Sequence, residues 1–204
     1  MQSYGLVSIG SHTGAWLKKD LIKFKNKKNI LVEPVPYNLK ELKENIKIFK
    51  NIIIEESAIS DKNEVVPFYF IKKNSIEKLK KHWASGIGSF DKSHLLNHRD
   101  KRFLVSDEDI EEIKINCLSF SSLVKKYSIK NINKLMLDVE GSEYKILKTI
   151  DLEKIQIDQI FFEKKHFDGY MQHGNKFKEI SNKLISYNYS LKIIDKENIL
   201  AIKN

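Results

Sequence analysis

A glycine-bearing turn and a distant acid give this chain the spacing of a nucleoside site. Gly10 and Gly14 lie between a short apolar run and an amphipathic stretch, and the next apolar run ends in Glu33. A strand that breaks into such a turn leaves backbone N–H groups unpaired at the start of the following helix, where they bind anions. An acid at the end of the next strand can accept both hydroxyls of a ribose.

The turn lacks the third glycine of dinucleotide sites, and this difference narrows the class of ligand. That glycine allows close helix packing beneath a pyrophosphate, so a cofactor without phosphates does not require it. S-adenosylmethionine is such a cofactor, and its carboxylate fits the N–H groups of a helix that begins near Gly14. His12, in the same turn, either contacts the ligand or caps the helix.

A second group of reactive side chains follows a later apolar run. Asp138 and Glu140 end this run just before Gly141, and a helical pattern starts at once. Carboxylates at the carboxyl end of a parallel strand face the crevice in which doubly wound proteins bind ligands. The structural alternative is that Asp138 ends the strand with a local hydrogen bond and Glu140 caps the helix.

Apolar runs and amphipathic stretches alternate along the chain, as a parallel α/β sheet requires. Strands are predicted at residues 6–9, 30–32, 52–56, 113–118, 134–139 and 159–163, and helices at residues 15–24, 37–49, 121–127, 142–150 and 175–187. Residues 65–71, with Pro67, are predicted to add an antiparallel edge strand, and residues 190–194 and 199–202 a closing hairpin. We therefore predict a single α/β domain over residues 1–204, with a doubly wound, mostly parallel sheet and an antiparallel C-terminal edge hairpin.

Residues 72–112 are too long and too polar for an ordinary connection, so we expect them to form a substrate-recognition insertion. Its glycine-serine segment contains Ser85 and Ser89, and Trp83 precedes it. Trp83 either stacks on a sugar or base or anchors the long segment onto the domain.

Composition favours a protein without a membrane span. The 204 residues are 41% hydrophobic, enough for a core, yet no run of about eighteen apolar residues occurs. The single Cys117 cannot form an internal disulfide and no leader precedes the first strand, so we expect a cytoplasmic protein. The net charge of +9 favours anionic partners, but the dispersed lysines fit a solvated surface as well as a nucleic-acid interface.

Five segments of the chain together resemble the FkbM family of class I S-adenosylmethionine-dependent methyltransferases. They are residues 7–15, Glu33-Pro34, residues 56–61, residues 137–143 with Leu147-Lys148, and residues 160–163. The sequence Asp-Val-Glu-Gly-Ser-Glu that starts at Asp138 and the Glu-Pro pair are the most specific of them. The resemblance implies a Rossmann-like fold and methyl transfer from S-adenosylmethionine to a hydroxyl of a sugar, glycolipid or small metabolite.

The resemblance also implies a role for each candidate residue. Cofactor contacts are expected from Ser8, Gly10, Ser11, His12, Thr13, Gly14, Glu33, Pro34, Ser57, Ala58, Ile59, Asp138, Glu140 and Gly141. Substrate contacts are expected from Trp83, Ser85 and Ser89. The proton of the acceptor hydroxyl is expected to pass to Asp138, Glu163 or His166. Alternatively, Asp138 and Glu163 hold Mg²⁺, which lowers the pKa of that hydroxyl.

Departures from the family pattern leave alternatives open. The family usually has an acid at the position of Ser8 and an Ala-Asn pair at Ser11-His12, so the methionine amino group is expected to contact backbone carbonyls or water. Few residues precede the first strand, which predicts an open site or a cover supplied by the partner subunit of a dimer. The same fold also suits an RNA or protein methyltransferase, or a catalytically silent module that binds nucleic acid.

Overall fold

A computed structural model describes residues 2–79, 82–97, 104–169, 172 and 174–204. The side chains of residues 79, 82 and 83 are outside this description, so the predicted substrate contact of Trp83 lies outside the described residues. None of the helices in the described part of the chain has the length and apolar content that a membrane crossing requires.

Strands and helices alternate through most of the chain. The strands are β1 (Gln2–Ile9), β2 (Lys28–Val32), β3 (Ile52–Glu55), β4 (Ala58–Ser60), β5 (Glu64–Ile71), β6 (Gly88–Ser89), β7 (Ile110–Ser119), β8 (Ile129–Leu137), β9 (Gln156–Glu163), β10 (Tyr189–Ile193) and β11 (Asn198–Lys203). The α-helices are α1 (Lys18–Lys23), α2 (Pro36–Ile46), α3 (Lys73–Leu79), α4 (Lys92–Asn97), α5 (Phe120–Lys126), α6 (Glu143–Thr149) and α7 (Asn175–Ser186). Short 3₁₀ helices occur at Ala15–Leu17, His82–Gly86 and Asp107–Asp109.

The main sheet has seven strands in the order β10-β11-β9-β8-β1-β2-β3. β1 pairs in parallel with both β2 and β8, and β9 extends the parallel set beyond β8. β11 runs antiparallel to both β9 and β10. This order confirms the predicted sheet and its C-terminal hairpin. The chain passes from β1 to β2 on one side of β1 and returns later to β8 on its other side. At such a reversal of strand order, the carboxyl ends of β1 and β8 form a crevice between them.

A smaller sheet, with strands in the order β4-β7-β5-β6, differs from the sequence-based expectation. β5 was expected at the edge of the main sheet, but it pairs with β7 along its whole length and with β6 at Tyr69 and Phe70. Pro67 lies in the part of β5 that β6 does not reach, where a strand tolerates proline. The segment 72–112 contributes α3, β6, α4 and the start of β7.

The central strands of the main sheet are buried on both faces. On one face Val7 and Ile9 of β1 join the largest apolar cluster, whereas on the other Leu6 packs with Leu21 of α1 and Leu42 of α2. Burial on both faces is typical of parallel sheets and explains the near-continuous apolar runs in their sequences. The strand ends that border the crevice are therefore fixed by packing on both sides.

Candidate functional site

A cleft of about 450 Å³ lies at the carboxyl ends of β1, β2 and β8. Among the residues that the sequence predicted to bind cofactor, those that line this cleft are Gly10, Glu33, Pro34, Ala58, Ile59, Asp138 and Glu140. The smaller sheet and the 72–112 segment add Phe68, Gly86, Gly88 and Phe90. A cleft at the carboxyl ends of parallel strands, with mixed apolar and acidic walls, is typical of a small-molecule site.

Two glycines shape the turn after β1. Gly10 has a φ of 81°, and a Cβ atom there would lie 1.7 Å from the carbonyl oxygen of Asp138. Gly14 has a φ of 70°, and a Cβ atom there would lie 2.5 Å from Cδ1 of Leu42 on α2. Only glycine fits such conformations at such close approach, so both positions are set by backbone geometry.

Glu33 lines the cleft at the end of β2 and is almost fully buried. Its Oε2 accepts a hydrogen bond from the His12 backbone N–H at 2.8 Å, and its Oε1 accepts one from the Val35 backbone N–H at 3.0 Å. Burial outweighs these hydrogen bonds and raises the pKa of Glu33 to about 7. Because each carboxylate oxygen has two lone pairs, Oε2 can accept a further hydrogen bond from a ligand hydroxyl.

The 72–112 segment is tied to this turn through Asn38 and His12. The side-chain amide of Asn38 donates to Glu33 Oε1 at 3.3 Å and to the backbone carbonyl of Ser85 at 2.8 Å. The His12 Nε2 atom lies 2.6 Å from the Ser85 hydroxyl, and burial lowers the pKa of His12. Asn38 was not predicted. Its position in the first turn of α2, five residues after Glu33, was the local signal available.

Asp138 is exposed inside the cleft, although protein groups surround its carboxyl. Restricted solvation and the negative charge of Glu140 raise the pKa of Asp138 to about 6. Beneath this loop, the fully buried Glu143 accepts hydrogen bonds from the backbone N–H groups of Val139 at 2.7 Å and Gly141 at 3.0 Å. Burial raises the pKa of Glu143 to about 8, and its two bonds hold the loop in place.

The suggested Mg²⁺ site contains a third acid. Asp138, Glu143 and Glu163 each present an oxygen within 4.8 Å of the others. Burial and the negative charge of Glu140 raise the pKa of Glu163, while Lys165 Nζ lies 2.7 Å from its Oε1 atom. Since Glu143 is engaged with the backbone and Glu163 with an ammonium group, these acids already have partners. Magnesium binding here stays a prediction.

Glu140 lies beside two histidines. Its Oε2 atom is 3.2 Å from His166 Nε2 and 3.4 Å from His94 Nε2, and its Oε1 atom is 3.7 Å from Lys165 Nζ. Although Glu140 is half-buried, which opposes its ionisation, these cationic and hydrogen-bonding partners hold its pKa well below the usual range. His94 comes from α4 in the 72–112 segment, and its spacing from other histidines and acids along the chain does not indicate a metal or catalytic site.

Several predicted residues lie outside the lining of the cleft. Ser8 is buried within β1, and its Oγ atom has no hydrogen-bond partner among the described residues. The Ser11 hydroxyl donates to the Ser8 carbonyl at 3.1 Å, and the Thr13 carbonyl accepts from a side-chain amide of α2. Ser57 lines a separate groove along the start of β5 and the end of β7. Ser89 Oγ accepts a hydrogen bond from a backbone N–H just after β6.

The fold is that of a doubly wound α/β protein, and its cleft lies at the strand ends where such proteins bind their ligands. The family model of the methyltransferase FkbM domain matches residues 8–191 of the sequence. The chain therefore belongs to the FkbM methyltransferase family, and it is an S-adenosylmethionine-dependent methyltransferase. No curated protein matches the sequence.

Solved structures of several methyltransferases are similar to the chain at low identity. Precorrin-6y C5,15-methyltransferase from Geobacter metallireducens GS-15 is 9% identical with a TM-score of 0.47, over 100% of this chain and 82% of that chain. Aeropyrum pernix fibrillarin, solved with natively bound S-adenosyl-L-methionine, is 10% identical with a TM-score of 0.45, over 98% and 67% of the two chains. Streptococcus mutans SMU.1697c, solved in complex with SAH, is 9% identical with a TM-score of 0.43, over 100% and 91%. Similarity at this level carries no information about the methyl acceptor.

Proposed function

We propose that this methyltransferase transfers the methyl group to a hydroxyl oxygen of a sugar, glycolipid or small metabolite. The observation that carries the proposal is the carboxyl group of Asp138, which is exposed in the cleft with a pKa raised to about 6. A hydroxyl loses its proton as its oxygen is methylated. A carboxylate with a pKa just below neutral pH is ionised there and is able to accept that proton.

The cleft offers suitable groups for S-adenosylmethionine, the methyl donor of the reaction. Glu33 has acceptor capacity for a ribose hydroxyl, and Ala58, Ile59 and Phe68 provide apolar surface for an adenine ring. When bound, this cofactor supplies an electrophilic methyl group on a sulfonium. The protein has to align the acceptor oxygen with that methyl group, and such alignment is worth about 7 kcal/mol or more in favourable cases.

Glu163 and His166, the other predicted proton acceptors, are less suited to this role. Lys165 Nζ lies 2.7 Å from Oε1 of Glu163, and His166 Nε2 lies 3.2 Å from Oε2 of Glu140. Neither residue is among those that line the cleft. Asp138 is therefore the proposed base.

Matched acceptors and a conservative variant test this chemistry. The protein is incubated with S-adenosylmethionine carrying a ¹³C-labelled methyl group and a panel of glycosides, glycolipids and hydroxylated metabolites, and products are analysed by NMR. We expect an O-methyl signal with at least one acceptor and none with its deoxy analogue. We also expect Asp138→Asn to lower kcat by about 100-fold or more, since a general base contributes that much.

The pH dependence of kcat/KM distinguishes a role of Asp138 as a base from a purely structural role. The wild-type kcat/KM is expected to rise with an apparent pKa near 6, the pKa of Asp138, and the Asp138→Asn profile is expected to lack this rise. Methylation at nitrogen or carbon, or an Asp138→Asn variant with wild-type kcat, would contradict the proposal.

RNA and protein acceptors belong in the same panel, because the basic charge of the chain leaves them as alternatives. One observation favours small acceptors. The lysine-rich stretch at residues 25–28 leads into the amino end of β2, where the Lys28 ammonium donates to the Gln2 side chain at the start of β1. In a parallel sheet this edge is opposite the carboxyl ends that form the cleft. Methylation of RNA or protein alone would replace the proposed class of acceptor.

A further inference from the structure

Three side chains from separate parts of the chain meet beside the cleft. His94 comes from α4, Glu140 from the loop after β8 and His166 from the segment after β9. One potential ligand atom from each lies within 4.8 Å of the other two, and all three residues are half-buried. The rings of His94 and His166 stand edge to face, with centroids 4.6 Å apart, so both imidazoles are packed beside the same carboxylate.

The distances around Glu140 are long for charge-assisted hydrogen bonds. Its Oε2 atom is 3.4 Å from His94 Nε2 and 3.2 Å from His166 Nε2, whereas such bonds between ionised groups are normally about 2.7–2.9 Å. Ligands of a tetrahedral zinc ion, at bond lengths of about 2.0–2.1 Å, lie about 3.3 Å apart. Both distances from Glu140 to the histidines match that ligand spacing.

We propose that His94, Glu140 and His166 form a binding site for one divalent transition-metal ion, such as Zn²⁺. Two imidazole nitrogens and one carboxylate oxygen are a ligand set found in catalytic zinc sites and in sites for other first-row transition metals. Imidazole does not suit Mg²⁺, which prefers oxygen ligands, so this site differs in chemistry from one made of Asp138 and Glu163. Three protein ligands leave at least one coordination position open.

The surrounding charges are compatible with a bound cation. The carboxylate of Asp138 adds negative charge near Glu140. Among the described residues, Lys165 is the lysine that approaches Glu140, but its Nζ atom lies 2.7 Å from Glu163 and 3.7 Å from Glu140, so it pairs mainly with Glu163. The Glu140 oxygen that faces the histidines is Oε2, and the Glu140 atom nearer the ammonium group is Oε1.

The position of this site beside the cleft would allow a bound ion to take part in the proposed reaction. Glu140 lines the same cleft as Asp138, so an ion at this site would bind and acidify an acceptor hydroxyl next to the proposed base. This role rests on the proposed O-methylation. Metal binding itself does not, and it is therefore measured separately from methyl transfer.

The test is calorimetric titration of Zn²⁺ alone into full-length protein that has been purified without a histidine tag and stripped with a chelator. We expect one equivalent of Zn²⁺ to bind per chain, and Co²⁺ substitution to give visible absorption bands of a low-symmetry site. His94→Ala, His166→Ala and Glu140→Gln are each expected to weaken Zn²⁺ binding at least tenfold. His94→Asp, which restores a ligand atom, is expected to recover part of the affinity.

A matched control and a folding readout keep the result interpretable. Glu179→Gln changes a carboxylate on α7 that pairs with Lys148, and it is expected to bind Zn²⁺ as the wild type does. Each variant is also titrated with S-adenosylhomocysteine and unfolded thermally, so that loss of the fold is distinguished from loss of a ligand. The absence of stoichiometric Zn²⁺ binding, or equal affinity in the wild type and all three ligand variants, would overturn the proposal whether or not the protein methylates a hydroxyl.

Discussion

Glu33 has two roles, one in holding the turn after β1 and one in lining the cleft. Its carboxylate accepts the backbone N–H groups of His12 and Val35, which fixes the turn after β1, and it also lines the cleft with acceptor capacity left over. Because burial raises its pKa to about 7, its charge state changes within the physiological range of pH. Hydrogen bonds from ribose hydroxyls favour the ionised carboxylate, so cofactor binding and ionisation of Glu33 are linked.

This linkage predicts a pH-dependent affinity. S-adenosylhomocysteine is expected to bind more tightly as pH rises from 6 to about 7 and to level off above the pKa of Glu33. Glu33→Gln is expected to bind at least tenfold more weakly at pH 8, a loss of about 1.4 kcal/mol, and to lose the pH dependence. Calorimetric titration at pH 6, 7 and 8 measures both effects.

The control for this prediction is Glu44→Gln, which changes an exposed carboxylate on α2. It should keep the affinity and the pH dependence of the wild type. Thermal unfolding of Glu33→Gln checks that the turn remains folded. If the wild type binds equally well at pH 6 and pH 8, Glu33 does not act on the cofactor as proposed.

At the level of residues, the sequence identified the side chains that follow strand ends. Glu33 and Asp138 were predicted because parallel strands bring their carboxyl ends to one edge, and both line the cleft there. Asn38 and His94 were not predicted, because their partners depend on how the 72–112 segment packs. Glu143 was visible in the family motif, but its bonds to two backbone N–H groups follow from the path of the loop.

The junction between β1 and β8 is the element on which the cleft depends. Gly10 lets the backbone of one strand end approach the Asp138 carbonyl of the other, and Asp138 N–H in turn donates to the carbonyl of Ile9 at 3.0 Å. A side chain at position 10 would push these two strand ends apart. The positions of the turn and of the acidic loop are therefore coupled through one glycine.

Gly10→Ala is expected to lower the free energy of unfolding by at least about 2 kcal/mol, since it adds a steric clash to an unfavourable positive φ. It should also weaken binding of S-adenosylhomocysteine. Urea unfolding measures the first effect. The matched control is Gly86→Ala, because a Cβ atom at Gly86 meets nothing within 4 Å, and its stability should stay within about 0.5 kcal/mol of the wild type. A Gly10→Ala variant as stable as Gly86→Ala would show that the strand ends tolerate a side chain.

At the level of elements, hydrophobic periodicity predicted the parallel strands of the main sheet and the C-terminal hairpin. The strand predicted at residues 113–118 was placed wrongly, because it is part of β7 in the smaller sheet. The helix predicted over residues 15–24 is a 3₁₀ turn, Ala15–Leu17, followed by α1. The smaller sheet was missed because its strands pair across long stretches of chain, as when β4 pairs with β7. Alternation within β5 indicated a strand, but local pattern does not specify a partner so distant in sequence.

Folding buries the carboxyl groups of Glu33 and Glu143, and the free-energy cost of burying them depends on pH. Folding raises the pKa of Glu33 to about 7 and that of Glu143 to about 8, against about 4.3 for an unperturbed glutamate. Between the unfolded and folded pKa values, the folded state holds protons that the unfolded state has released. The stability is therefore greatest near the lower end of this window and decreases as pH rises toward the folded pKa values.

Urea unfolding between pH 5 and pH 8 should show this decrease. Glu143→Gln removes one of the titrating groups. The slope of its free energy of unfolding against pH should therefore be shallower than that of the wild type, by up to about 1.4 kcal/mol per pH unit. Glu143→Gln also alters the hydrogen bonds to the loop, which changes the stability at every pH. The difference in slope between the two proteins therefore reports the titration of Glu143 alone. Identical slopes in the wild type and Glu143→Gln would mean that Glu143 is ionised in the folded protein.

A crystal structure of the protein with S-adenosylhomocysteine is the most direct measurement of where the cofactor binds. We predict that the ribose hydroxyls lie within hydrogen-bond distance of the Glu33 carboxylate, with the sulfur directed toward Asp138. Density for the ligand outside this cleft, or a ribose that makes no contact with Glu33, would contradict the assignment of the cleft as the methyl-transfer site.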